Sequence, residues 1–223
     1  MSQMFEKSTI QGAYFALTAY VFWGILPIYF KAVDHVSAIE ILVHRVLWSV
    51  VFLLGVLVYT GQLDRLRLPP GKLGLLFFSA LLIATNWLLS IYGIVNDNIV
   101  ETSLGYFISP LVSVFLGVIF LGERLRPLQW IAIFIAFFGI FFQLMYYGKI
   151  PWIALSLAFS FGFYGLIRKN LNLHSVAGLA LETLMMVPFA LFALFWIYEK
   201  GQLQFGVADL NTNLLLVSAG VVT

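Results

Sequence analysis

Residues 73–93 read LGLLFFSALLIATNWLLSIYG, a run of 21 residues without a charged side chain. About 20 predominantly apolar residues are enough for an α-helix to cross the hydrocarbon core of a bilayer. Because lipid offers no hydrogen-bond partners, such a run must satisfy its own backbone polar groups, which a helix does. The stretch therefore predicts a membrane-spanning helix.

Six further apolar runs of similar length lie along the chain. They cover Ile10–Phe30, Ser37–Tyr59, Val100–Leu121, Pro127–Tyr147, Pro151–Ile167 and Val176–Tyr198. Seven complete spans are predicted, and an eighth run starts near Asn213 and reaches Thr223 after about half the length of a crossing. The expected fold class is an all-α membrane protein, a polytopic helical bundle, with the chain ending inside a helix.

The composition excludes several other classes of protein. The chain is 62% hydrophobic and 10% charged, whereas a soluble domain is about a quarter charged. Basic residues are scattered, so no nucleic acid partner is expected. The absence of cysteine excludes disulfides and thiolate catalysis. No nucleotide-binding, nucleophile-elbow or HExxH motif is present, so we expect no enzyme activity, no cofactor and no metal site.

The basic residues predict the orientation, because cytoplasmic loops of membrane proteins are enriched in Lys and Arg. An amino terminus in the cytoplasm leaves only Lys31, Lys149 and Lys200 in the outer segments. The cytoplasmic segments then hold Lys7, Arg65, Arg67, Lys72, Arg124, Arg126, Arg168 and Lys169.

An internal repeat is suggested by laying Ala16–Val50 on Ala154–Pro188 without a gap, which matches Gly24 with Gly162 and Lys31 with Lys169. Chance similarity between hydrophobic helices is the alternative. The offset contains five spans, an odd number, so the second copy would be inverted, as in many secondary transporters. We therefore predict a first five-helix repeat at residues 1–147. Residues 148–223 would begin a second, truncated repeat with two full spans and part of a third.

Polar side chains inside the predicted spans indicate a functional site, because ionisable groups are costly there. Glu40 and His44 share one face of span two, and Arg45 points elsewhere, where a carboxylate is its expected partner. The alternative is that these groups only pair with one another to fix helix packing. The candidate solute-binding residues are Trp23, Glu40, His44, Arg45, Asn86, Trp87, Glu101, Tyr106 and Glu182. Glu40, His44, Arg45 and Glu101 are expected to face one interior cavity.

Small residues recur every four positions on span four, at Gly105, Ser109, Ser113 and Gly117. Such a stripe lets the backbone of a second helix approach closely. We interpret it as a packing surface and not as a binding site.

The segment LGERLRPLQWIAIFIAFFGI at residues 121–140 resembles the EamA-type drug/metabolite transporters, whose repeat ends span four with G-E-x-L and resumes with Q-W. EILVHRVLWS at 40–49, ETSLGYFISPL at 101–111 and PWIALSLAFSFGFYGLIRK at 151–169 resemble the RarD subgroup, the chloramphenicol-sensitivity proteins. The resemblance implies ten helices in two inverted repeats of five, in the bacterial inner membrane, moving small organic solutes. This chain departs from that pattern by ending early.

Together these features predict a secondary-active permease, with export as the expected direction and alternating access between inverted repeats. Its partners would be a small-molecule solute, a coupling proton carried by Glu101 or Glu40, and the lipid bilayer. The sequence leaves open whether the protein is a monomer or a homodimer. The alternative function is a membrane receptor or scaffold that transports nothing.

Overall fold

The computed structural model describes residues 2–67 and 71–222, and all regular structure within those ranges is helical. The α-helices are α1 (Ser2–Lys31), α2 (Ala38–Tyr59), α3 (Leu73–Val95), α4 (Ile99–Leu121), α5 (Pro127–Tyr147), α6 (Trp152–Leu171), α7 (Ser175–Glu199) and α8 (Leu210–Val222). A short 3-10 helix spans Leu63–Leu66. The prediction of an all-α fold is confirmed. Thr223 and the side chains of Lys7 and Ala16, which entered the sequence argument, lie outside the described part.

By length and composition, α2, α3, α4, α5 and α7 are apolar enough to cross a membrane. The other two predicted spans form helices at the expected places, α1 with 30 residues and α6 with 20, but their described residues do not meet this criterion. Arg168 and Lys169 lie in the last turn of α6 and reduce its apolar length. The protein is a polytopic helical membrane protein.

Short polar signals mark where the helices begin and end. The Ser37 side chain accepts a hydrogen bond from the Glu40 backbone N–H at 3.2 Å and caps α2. The Gln129 side chain accepts from the Arg126 N–H at 2.8 Å, before α5. At the start of α8 the Asp209 carboxylate accepts from Thr212, and these hydrogen bonds lower the pKa of Asp209. Gly122 ends α4 in the left-handed region with φ 65°.

α2 and α3 form the centre of the bundle. α2 packs against α7, α8 and α3, and α3 also packs against α6 and α7. α4 lies along α6, and a Cβ added to Gly105 would come within 2.9 Å of Leu157 and 3.1 Å of Ala154 Cα. The predicted close approach of a second helix is therefore confirmed at Gly105.

The outermost helix is α5, which packs against α4 and buries none of its residues. Its exposed side chains include Phe134, Ile135, Phe138 and Phe142, all more than half exposed. An apolar helix with this distribution has its surface toward lipid. The buried polar groups must therefore be sought between the other helices.

Candidate functional site

The first two turns of α2 bury three ionisable side chains, Glu40, His44 and Arg45, which we call the α2 cluster. Their exposed fractions are 0%, 3% and 7%. Glu40 Oε1 accepts hydrogen bonds from the backbone N–H groups of Gln204 and Phe205, each at 2.9 Å. Glu40 Oε2 is buried and has no hydrogen-bond partner among the described atoms. Oε1 is thus held by two backbone N–H groups, whereas Oε2 is available to accept a further hydrogen bond.

The segment between α7 and α8 lies over the beginning of α2. Phe205 contributes its N–H to Glu40, and its ring lies 4.4 Å from the ring of His44 between centroids. Neither ring nitrogen of His44 has a hydrogen-bond partner in the described part of the chain. Buried polar atoms are usually paired, so an unpaired imidazole next to a half-paired carboxylate is typical of a functional site.

The sequence predicted a carboxylate partner for Arg45, and the described part of the structure shows none. Its guanidinium lies over the indole of Trp87, 3.9 Å from the ring centroid. No described carboxylate oxygen lies within 4.0 Å of it, and Nε has no hydrogen-bond partner. The physical reason is that the Arg45 side chain points toward α3, where its guanidinium stacks on an aromatic ring instead of pairing with an anion.

Two other predicted residues take part in contacts between helices. Asn86 on α3 donates from its amide to the Leu157 carbonyl and to Ser160 Oγ on α6, each at 3.0 Å. Tyr106 on α4 lies with its hydroxyl 2.9 Å from Ser90 Oγ on α3. Asn86 is buried and Tyr106 is half exposed. The Asn86 amide is therefore engaged in packing α3 against α6.

Glu101 and Trp23 contact residues outside the α2 cluster. Glu101 accepts from the Ile153 N–H and from the Tyr147 hydroxyl, each at 2.8 Å, so it connects α4 to α5 and α6. Trp23 is half exposed on α1 and makes an edge contact with Tyr20. The structure places Glu40 and His44 against the segment between α7 and α8, places Arg45 on Trp87, and gives Glu101 a separate set of partners.

A second group surrounds Glu182 on α7, which is fully buried. Ser79 donates to Oε1 at 2.5 Å, Tyr164 donates to Oε2 at 3.2 Å, and Arg168 Nη1 lies 3.8 Å from Oε1. We call Glu182, Ser79, Tyr164 and Arg168 the α7 cluster. The sequence predicted only Glu182. The signal that could have found Arg168 is its place in the last turn of α6, one short loop from α7.

The α7 cluster depends on a glycine. The Arg168 guanidinium packs against Gly178 so closely that a Cβ at position 178 would collide with it. Arg168 also donates to the Ser175 carbonyl at 3.3 Å. The side chain thus folds back across the first turn of α7 instead of extending away from the bundle, and Gly178 provides the space.

The cavity between α2, α3 and α7 has a volume of about 300 Å³ and is apolar. Its lining residues are Ile39, Leu42, Val43, Phe77, Ala80, Leu81, Ala84, Met185, Met186, Phe189, Ala190 and Ala193. None of the predicted site residues lines it. Within the described ranges, no three His, Asp or Glu side chains are grouped to hold a metal ion.

Buried polar clusters within a bundle of apolar helices are typical of membrane transport proteins, in which such groups mark solute and ion pathways. Comparison with known proteins agrees, and the chain belongs to the EamA-like transporter family, whose model matches residues 10–145. The predicted family is confirmed. No solved structure matches the chain.

The relatives place the chain in the RarD subgroup. Protein RarD of Salmonella typhi is 48% identical over 99% of this chain and 76% of its own length. An uncharacterized transporter of Vibrio cholerae serotype O1 is 48% identical over 98% of this chain and 73% of its own length. The chloramphenicol-sensitive protein RarD of Pseudomonas aeruginosa is 30% identical over 86% of this chain and 67% of its own length.

Proposed function

We propose that this transporter is a secondary-active permease that exports small organic solutes across the bacterial inner membrane. The observation that carries the proposal is the α2 cluster, where Glu40 Oε2, both ring nitrogens of His44 and Arg45 Nε are buried without hydrogen-bond partners among the described residues. Unpaired polar atoms are costly inside a protein, and they persist where a ligand or a moving proton needs them. In the α7 cluster both oxygens of the Glu182 carboxylate accept hydrogen bonds, although Arg168 Nη1 has no hydrogen-bond partner among the described atoms.

Alternating access is supported by the positions of the two clusters. Because four helices, α3 to α6, lie between α2 and α7, the two run in opposite directions if each of the four crosses the membrane. His44 and Glu182 lie six and seven residues after the first residues of their helices, about 10 Å along each axis. The α2 and α7 clusters then occupy opposite halves of the bilayer, and α2 and α7 pack against each other between them.

Inverted repeats are supported by the pattern of helix contacts. The proposed repeat relates α1, α2 and α3 to α6, α7 and α8. Under that relation, the contact of α2 with α8 corresponds to that of α7 with α3, and both occur. Likewise α6 meets α3 through Asn86, while α1 meets α8 through the Tyr29 hydroxyl, which donates to the Leu215 carbonyl. A two-fold axis in the membrane plane would produce this pairing.

For the coupling proton we propose Glu40 over Glu101. Both oxygens of Glu101 accept hydrogen bonds that connect α4, α5 and α6, which gives it a positioning role. Glu40 Oε2 has no hydrogen-bond partner in the described part of the chain, and Oε1 binds the segment over α2. A proton exchanged at Glu40 would therefore act where the segment between α7 and α8 covers the beginning of α2.

The orientation gives a direct prediction. A reporter fused after Arg67, in the connection from α2 to α3, should be cytoplasmic, because that loop holds Arg65, Arg67 and Lys72. A reporter fused after Asn96, between α3 and α4, should be periplasmic. Paired alkaline phosphatase and fluorescent protein fusions measure both positions. The opposite pattern would reverse the assignment of the two clusters to membrane halves.

Transport itself separates the proposal from a receptor or scaffold. We expect the protein reconstituted in proteoliposomes to exchange labelled solute with unlabelled solute, whereas a receptor would bind solute without moving it across the bilayer. Empty liposomes and liposomes with an unrelated helical membrane protein are the controls. Saturable exchange that is absent from both controls would support a permease, and its absence for every solute that binds would contradict it.

A further inference from the structure

Arg45 is a buried cation, and no carboxylate in the part of the chain that the structure describes neutralises it. A guanidinium keeps its proton under all ordinary conditions, so burial cannot discharge it. Glu40, five positions earlier on the same helix, is not within 4.0 Å of it and uses Oε1 for Gln204 and Phe205. Arg168, by contrast, has Glu182 as its carboxylate partner. Among the described basic residues, Arg45 thus combines burial with the lack of a carboxylate partner.

The surroundings of Arg45 are polar but uncharged. Trp87 covers one face of the guanidinium, and the phenols of Tyr106 and Tyr29 are its titratable electrostatic neighbours. Tyr106 in turn meets the Ser90 hydroxyl. Stacking uses the face of the planar group, whereas a carboxylate binds its edge through two parallel N–H donors. An anion can therefore bind without displacing Trp87.

We propose that the solute is an organic anion whose carboxylate binds Arg45 and whose apolar part packs against Trp87 and Tyr106. The inference rests on the proposed permease function and specifies the class of its substrate. Tyr106 is half exposed, so other protein groups do not fully cover this side of the cluster. The anion would supply the missing counter-charge, which makes the occupied site more favourable than the empty one.

Thermal unfolding followed by tryptophan fluorescence tests the charge preference. The probes are two matched sets, phenylacetate with phenylacetamide and phenethylamine, and 3-methylbutanoate with its amide and amine. We expect the carboxylate of at least one set to raise the melting temperature, and the amide and amine to have little effect. Failure of both carboxylates to exceed their amides would overturn the inference.

Variants of Arg45 test the residue. In Arg45→Gln the carboxylate concentration for half-maximal stabilisation should rise roughly 10- to 100-fold, the usual loss for a charge-assisted contact. Arg45→Lys should keep part of the preference. Arg67→Gln removes an exposed arginine from the α2–α3 connection and should change nothing. If the preference for carboxylates persisted in Arg45→Gln, the carboxylate would bind a group other than Arg45, and the inference would be wrong.

The melting temperature of the protein without a probe distinguishes an arginine that binds solute from one that stabilises the fold. Without any probe, Arg45→Met should melt at the same or a higher temperature, because it removes a buried charge that lacks a counter-ion. A lower melting temperature would mean that Arg45 stabilises the packing of the bundle.

Solute exchange in proteoliposomes distinguishes failure of this inference from failure of the proposed function. If neutral solutes are exchanged with no preference for carboxylates, the protein is a permease but its solute is not an organic anion. If carboxylates bind at Arg45 but are not exchanged, the anion site stands and the permease function is overturned.

Discussion

Glu40→Gln is expected to abolish the proton-driven accumulation of solute and to leave solute exchange in place. Glutamine keeps an oxygen that can accept from Gln204 and Phe205, but it cannot exchange a proton at neutral pH. A gradient of one pH unit corresponds to about 1.4 kcal/mol, or about tenfold accumulation per coupled proton. The variant should accumulate to a ratio of about 1 in proteoliposomes under that gradient.

Glu101→Gln is the matched control for this experiment. It makes the same chemical change on a carboxylate that is also buried, but whose oxygens accept from Tyr147 and Ile153. We expect a lower melting temperature and an unchanged accumulation ratio. If Glu101→Gln lost the gradient response and Glu40→Gln kept it, the roles given to the two carboxylates would have to be exchanged.

Gly105→Val should force α4 away from α6. The added Cβ would already lie 2.9 Å from Leu157 and 3.0 Å from the Ala154 carbonyl oxygen, and valine brings two further methyl groups. Overpacking usually costs about 1–3 kcal/mol, and the upper end is expected because backbone atoms cannot move aside as side chains do. Tryptophan fluorescence melts of the purified protein measure the loss.

Gly139→Val supplies the comparison in the neighbouring helix α5. A Cβ at position 139 meets nothing within 4 Å, so the substitution should change stability by no more than about 0.5 kcal/mol. Equal losses in the two variants would mean that valine acts through helix propensity, and the close approach of α4 and α6 would not be the cause.

The sequence was sufficient for the helices because the decisive signal is local. A charge-free run such as residues 73–93 satisfies its backbone only as a helix, whatever its neighbours do. The cost of placing Glu40, His44 and Arg45 in lipid likewise predicts their burial before any partner is known. Both arguments concern one segment at a time, and for that reason they hold without tertiary information.

The partners of these groups could not be predicted in the same way. Glu40 binds the backbone N–H groups of Gln204 and Phe205, and every non-proline residue has such a group, so no residue type marks the partner. Arg45 was expected to bind a carboxylate and instead stacks on Trp87, because pairing depends on how α2 rotates against α3. That rotation is set by the packing of the whole bundle, so no single segment of the sequence predicts it.

The contact between Arg168 and Gly178 constrains how this protein can change over evolutionary time. While position 168 is arginine, any residue with a Cβ at 178 must push the guanidinium away from Glu182. The guanidinium is the far end of a flexible side chain and can move, so the cost of a mutation at 178 is mainly the loss of the Arg168–Glu182 ion pair. Positions 168 and 178 are therefore coupled, and a larger residue at 178 should be tolerated better once 168 has a shorter side chain.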